Sequence, residues 1–72
     1  METVIFTIRK ITSNFGGLYS ISTNDCKVGT YNMSDIDCLH LFETMDEITE
    51  DYNIKGYAVL FEVDWYETEV DN

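Results

Sequence analysis

One segment with helical periodicity interrupts a sequence that otherwise alternates apolar and polar side chains. Between Ser34 and Asp51, apolar residues recur every three or four positions, which places them along one side of an α-helix. A single helix cannot bury such a stripe alone, so it has to pack against a sheet formed by the alternating segments. The predicted buried stripe consists of Cys38, Leu41, Phe42, Met45, Ile48 and Tyr52.

The segments before the helix predict strands. Residues 3–11 are rich in β-branched and aromatic side chains, with Val4, Phe6 and Ile8 on one face. Turn-forming residues follow, and the alternation resumes over residues 18–23, so the two segments are expected to form a hairpin. A second turn at Asn24-Asp25 predicts a short third strand over residues 26–31.

The ends of the helix also carry signals. Ser34 is the expected N-cap, with Asp37 at the capping-box position and Asp35 near the positive end of the helix dipole. The helix is expected to end near Asp51, and Gly56 favours a left-handed stop before the next element.

A last strand is predicted over residues 56–68, followed by a frayed acidic tail at about residues 68–72. Its two faces consist of Tyr57, Val59, Phe61, Val63 and Trp65 toward the core, and Ala58, Leu60, Glu62, Asp64 and Tyr66 away from it. The sequence therefore predicts one α+β domain over residues 1–72, in the order β-β-(β)-α-β. We expect a three- to four-stranded, mainly antiparallel sheet with the amphipathic helix on one face.

Charge divides the chain unevenly. Residues 1–34 carry two acids and three bases, a net charge of +1, whereas residues 35–72 carry 12 acids and one base, a net charge of −11. The total of −10 disfavours direct binding to nucleic acid or to an anionic membrane and favours a cationic partner.

The helical segment is acidic in a way that does not stabilise it. Glu43 with Glu47, Asp46 with Glu50, and Glu47 with Asp51 are like-charge pairs four residues apart, each of which costs a few tenths of a kcal/mol. The same sign continues in the last strand and tail. The expected partner-binding band contains nine carboxylates: Glu43, Asp46, Glu47, Glu50, Asp51, Glu62, Asp64, Glu67 and Glu69. A rigid array of carboxylates resembles a phosphate backbone, so it can occupy a basic groove built for nucleic acid. The alternative is that the charge serves solubility.

Apolar anchors would add lasting affinity to such a surface. Ile36 and Leu39 are expected on the acidic side of the helix, and Tyr66 on the Glu62/Asp64 face of the last strand. The second face of the sheet, with Ile5, Leu60 and Tyr66, is equally compatible with a homodimer interface.

Catalytic and metal-binding patterns are weak. His40 is the one histidine, expected at the side of the helix, and its spacing from Cys26 and Cys38 matches no zinc motif. Capping explains Asp35 and Asp37 better than a calcium loop does. We therefore expect no enzymatic activity, no metal and no cofactor. Two cysteines, no secretory leader and no apolar run long enough for a membrane span favour reduced thiols and a cytoplasmic location.

In size, charge and expected fold, the chain resembles the small acidic inhibitors encoded by bacteriophages and other mobile elements, notably anti-CRISPR proteins and related DNA mimics. The resemblance is not carried by a residue-level motif, so no functional positions are transferred. It implies a non-enzymatic inhibitor that blocks the basic nucleic-acid-binding site of a host defence protein, such as a CRISPR effector, in the host cytoplasm. The alternative is a small structural or assembly module that dimerises through its open sheet face.

Overall fold

Four strands and one helix form the part of the chain that the structure, a computed structural model, describes, namely residues 1–11 and 17–64. In chain order they are β1 (Glu2–Ile11), β2 (Leu18–Asp25), β3 (Gly29–Ile36), α1 (Cys38–Ile54) and β4 (Tyr57–Asp64). The strands form one sheet in the order β3-β2-β1-β4. β2 is antiparallel to both of its neighbours, whereas β4 is parallel to β1. The α+β fold and the order of its elements are thus confirmed.

The core lies between the sheet and α1. The even-numbered residues of β1 face α1, and Val4 and Phe6 are completely buried there. β2 contributes Ile21, which is the register partner of Ile8. Alternation along β1 and β2 therefore supplies the floor of the core, because β1 lies between two other strands and is covered by the helix.

Phe6 is the centre of this core. Its ring contacts Tyr31 of β3 at a centroid distance of 5.5 Å, Tyr52 of α1 at 5.2 Å and Phe61 of β4 at 5.9 Å. The first two contacts are edge-to-face, a geometry that adds to the energy of apolar burial. One side chain thus connects both edges of the sheet to the helix.

The predicted third strand was placed too early in the chain. Residues 25–28 form a turn, in which the Asp25 carboxylate accepts a hydrogen bond from the Lys27 backbone N–H at 2.9 Å. The same carboxylate forms an ion pair with the Lys27 ammonium at 3.1 Å. Gly29 then takes a φ of +88°, and β3 begins there. The turn, which the Asp25 side chain favours, thus occupies the first residues of the predicted strand, and β3 spans Gly29–Ile36.

The predicted helix start was also wrong. β3 continues to Ile36, whose side chain is buried, and the N-cap of α1 is Asp37 rather than Ser34. The helix ends at Ile54, three residues later than expected, and Gly56 follows at a φ of +97°, as the left-handed stop requires. Burial of Ile36 in the sheet thus outweighs the capping signal of Ser34.

The predicted stripe is buried only in part. Leu41 and Ile48 are buried and Met45 and Tyr52 pack against the core. Cys38 is exposed and the Phe42 side chain is 65% exposed, contrary to expectation. Residues 12–16, within the first predicted turn, and residues 65–72, with Trp65 and the expected tail, lie outside the described residues.

Phe6 and Phe42 form a matched pair for a stability test, because both are phenylalanine but Phe6 is 0% exposed and Phe42 is 65% exposed. Phe6→Ala is expected to lower the free energy of unfolding by about 3 to 5 kcal/mol through lost burial and a cavity. Phe42→Ala is expected to change it by less than about 1 kcal/mol. Urea unfolding followed by circular dichroism measures both, and equal losses would contradict the placement of Phe6 at the centre of the core.

Candidate functional site

The outward side of α1 carries the densest charge in the described chain. We call Glu43, Asp46, Glu47, Glu50 and Asp51 the acidic helix face, and all five are exposed. The opposite side of the helix holds Leu41 and Ile48 against the sheet. Since the buried side is fixed by packing, the carboxylates on the other side are carried by a rigid element rather than by a loop.

No ion pair neutralises the acidic helix face within residues 1–11 and 17–64. The ion pairs of this part of the chain join Arg9 to Asp64, Lys27 to Asp25, and His40 to Asp37. Lys55 instead lies 4.9 Å from the centre of the Tyr52 ring, where a cation–π contact holds it at the end of the helix. The carboxylates of the acidic helix face are therefore exposed without a cationic partner in this part of the chain.

Two large apolar side chains flank this charge. Leu39 is 86% exposed in the first turn and Ile54 is 80% exposed at the last residue of α1. At about 100° per residue, both lie on the outward side, together with Glu43 and Glu50. The anchor position predicted for Leu39 is thus compatible with the structure. Ile54 was missed because the helix was expected to stop near Asp51, although the same periodicity identifies it once the helix is extended.

The described members of the expected band do not form one surface, because the helix acids and the two acids of β4 lie on opposite sides of the sheet. Phe61 contacts Phe6 on the helix side, so its neighbour Glu62 and the next alternate residue, Asp64, point to the open face. Asp64 is also paired there with Arg9, its register partner, at 3.3 Å. The acidic helix face and the β4 acids are separate features.

The remaining predicted positions fall in two groups. Ile36, expected among the anchors, is buried in β3 and does not belong to the acidic surface. Tyr66, Glu67 and Glu69 lie outside the described residues. Of the eleven residues predicted to bind a partner, the structure thus brings together Leu39 and the five acids of the helix.

The open face of the sheet is mainly polar where it is described. A shallow depression of about 430 Å³ is lined there by hydroxyl and amide side chains of three strands, together with Ile5 and Arg9. Ile5 lies beside Leu60, its register partner in β4, as a small apolar patch. Sequence alternation placed Ile5 and Leu60 on this face correctly but did not predict the polar character of their surroundings.

The start of α1 is held by a two-residue cluster. One carboxylate oxygen of Asp37 accepts a hydrogen bond from the His40 backbone N–H at 3.0 Å. The same oxygen lies 2.8 Å from Nδ1 of the His40 ring. The ring hydrogen bond, with the nearby negative charge, raises the pKa of His40 above its ordinary 6.5. The ring and backbone hydrogen bonds lower the pKa of Asp37 below its ordinary 3.8.

These shifts set a pH window for the helix start. The stabilisation from His40 is complete below pH 6.5 and is lost as the pH rises through the raised pKa of the folded state. The stabilisation from Asp37 is complete above pH 3.8 and is lost as the pH falls through its lowered pKa. We therefore expect the N-terminal turn of α1 to be best ordered between these values.

NMR titration of the His40 ring tests this cluster. In the wild type, the His40 pKa is expected above 6.5, and Asp37→Asn is expected to lower it by removing the charged acceptor. Asp35→Asn is the matched control, because it removes the same charge two residues earlier, and asparagine tolerates the φ of +59° at that position. Equal effects of the two variants would contradict the role of the Asp37 hydrogen bond.

Like-charge repulsion along α1 gives a second prediction. Glu47→Lys replaces two repulsive pairs, with Glu43 and with Asp51, by two attractive ones. Each pair changes from a cost of about 0.2 to 0.5 kcal/mol to a gain of similar size, so the free energy of unfolding is expected to rise by roughly 1 to 2 kcal/mol at low salt. Thermal unfolding at low and high salt measures this gain, which should shrink as salt is added. A loss of stability at low salt would show that the glutamate is favoured for folding.

Within the described ranges, no group of three or more histidine, cysteine or acidic side chains is arranged to hold a metal ion. In the same part of the chain, no helix is long and apolar enough to span a membrane. Cys26 and Cys38 are both exposed free thiols, so the burial expected for Cys38 does not occur.

Comparison of the chain with protein-family models, with curated proteins and with solved structures finds no match.

Proposed function

We propose that this protein is a non-enzymatic binding protein that occupies the basic, nucleic-acid-binding surface of another protein. The observation that carries the proposal is the acidic helix face, in which five exposed carboxylates lie along one rigid helix without an ion pair in the described part of the chain. Such a surface attracts lysine and arginine side chains and repels phosphates, so the partner is a protein and its cationic site is the contact.

The arrangement of charge supports binding over solubility alone. Solubility requires net charge but no particular placement, whereas here repulsive pairs accumulate on one helix at a cost in stability. Leu39 and Ile54, at the two ends of the acidic helix face, are large apolar side chains with more than three quarters of their surface exposed. Charges speed the encounter, and desolvated apolar anchors then slow dissociation.

The target that we propose is a host defence protein that binds nucleic acid, with a CRISPR effector complex as the first to test. This step depends on the resemblance in size, charge and fold to anti-CRISPR proteins and DNA mimics, and it would place the protein in the cytoplasm of a phage-infected cell. The second candidate, an assembly module that dimerises through its open sheet face, receives less support, because the depression in that face is lined mainly by hydroxyl and amide side chains.

Charge reversal on the helix tests the proposal. Glu43→Lys/Glu47→Lys/Glu50→Lys is expected to lower affinity for the target by roughly tenfold or more at low salt, since rim charges control association and its salt dependence. The assay is displacement of labelled DNA from purified CRISPR effector complexes, with one representative of each type. Wild-type protein should displace the DNA of at least one of them, less effectively as salt rises.

Glu2→Lys is the control, because Glu2 is an exposed acid at the start of β1 and is not part of the acidic helix face. Compared with the single variant Glu50→Lys, it makes the same change in net charge at a different place. Equal behaviour of Glu2→Lys and Glu50→Lys would show that only total charge matters. If the triple variant displaced DNA as well as the wild type does, the acidic helix face would not be the binding surface.

A further inference from the structure

The outer edge of β4 has no neighbour among the described residues. β4 is the last strand of the sheet and pairs with β1 on one side only. It runs for eight residues in continuous register, without proline, so alternate backbone N–H and C=O groups point away from the sheet. The opposite edge strand, β3, is interrupted by a register shift between Tyr19 and Ile21 and by the φ of +59° at Asp35. β4 is therefore the edge that is suited to accept another strand.

The side chains of β4 are incompletely covered. None of its eight residues is buried, although Val59, Phe61 and Val63 face the helix side. Val63 is 54% exposed, whereas Ile8, its register partner in β1, is buried. This difference between adjacent strands follows from position, because β1 has a neighbour on each side and β4 has one. A strand added beside β4 would cover the exposed apolar surface.

The helix contributes to the same edge. The pKa of Tyr31 in β3 is raised by burial and then by the nearby Tyr52, Glu47 and Asp51 of α1. The flank of α1 that carries Glu47 and Asp51 therefore lies toward β3. Phe42 occurs on the other flank, toward β4. It lines a groove of about 340 Å³ that runs between α1 and the sheet, with Val63 at the β4 side and Tyr19 at the β2 side, and the walls of this groove are almost entirely apolar. A side chain entering from beside β4 would find Phe42 and Val63 already half exposed.

The other face of the same edge is acidic. Glu62 is exposed and, within the described residues, has no ion pair. Asp64 follows on the same face and forms an ion pair with Arg9 of β1. The C-terminal half of the β4 edge is therefore apolar toward α1 and negative toward the open face.

We propose that the β4 edge binds an extended segment of a cationic protein by strand addition, with apolar side chains toward Phe42 and Val63 and lysine or arginine toward Glu62. Main-chain hydrogen bonds supply the pairing, and the alternation of apolar and basic residues supplies the specificity. A second copy of this chain is a poorer occupant, because each copy carries a net charge of −10 and brings its own Glu62. The inference rests on the proposed function only in taking the partner to be cationic.

A synthetic peptide of four valine-lysine repeats with blocked ends is the probe. Added to the full chain in an NMR titration, it is expected to shift the amide signals of residues 57–64 and of Phe42, and to protect alternate amide protons of β4 from exchange. A peptide with four valines followed by four lysines has the same composition but no alternation, so it is expected to bind more weakly. A valine-glutamate repeat should not bind.

Two matched variants locate the contact. Glu62→Lys is expected to weaken binding of the valine-lysine peptide roughly two- to fivefold, the effect of one cross-strand charge pair. Glu43→Lys makes the same charge change on the acidic helix face and should leave the binding nearly unchanged. Phe42→Ala should also weaken it, and circular dichroism spectra matching the wild type would show that the variants are folded.

Several results would overturn this inference. Charge attraction alone would be indicated if the alternating and the block peptide of valine and lysine bound equally. The same conclusion would follow if the NMR shifts were centred on the acidic helix face. A dimer in sedimentation equilibrium, with alternate β4 amides protected before peptide is added, would make a second copy the occupant. If the peptide bound only after deletion of residues 65–72, the occupant of the β4 edge would be this segment of the same chain. If Glu43→Lys/Glu47→Lys/Glu50→Lys abolished DNA displacement from the effector and no peptide bound β4, the proposed function would stand and this inference would fail.

Discussion

The packing of Phe6 determines how every other surface of the protein is presented. Its ring lies within 6 Å of aromatic rings from β3, α1 and β4, and it is completely buried. The contact with Tyr52 fixes the inward side of the helix, and this leaves the carboxylates of the acidic helix face on the outward side. The contact with Phe61 fixes which face of β4 is inside, and this sends Glu62 to the open face. One buried ring thus assigns the two groups of acids to different surfaces.

Alternation in β1 was sufficient to predict the core. Val4, Phe6 and Ile8 are the expected residues on the expected face, because a strand with a neighbour on each side and a helix above it obeys period 2 closely. The helix was identified by its period for the same reason. Its boundaries were wrong at both ends because local signals compete with tertiary burial. Ser34 is a good N-cap in isolation, but Ile36 gains more by entering the core as part of β3.

The candidate site was harder to predict than the fold. Sequence identifies which residues are acidic, but which of them lie together depends on where β4 sits relative to α1. Alternation along β4 places Glu62 on the face away from the core, as predicted, whereas Glu47 lies on the helix that covers the core face. The expectation of one band was wrong for these two residues because it did not combine the two placements. Phe42 shows the same limit. Its helical position predicts burial, yet it is 65% exposed, because β4 is an edge strand and no described residue lies beyond it.

The central claim is that the acidic helix face is buried against a cationic protein. Carbodiimide labelling of carboxylates, read by mass spectrometry with and without any effector complex that loses its DNA in the displacement assay, tests it most directly. The account predicts that Glu43, Glu47 and Glu50 lose reactivity in the complex while Glu2 keeps it. Unchanged labelling of these three glutamates in a saturated complex would contradict the account.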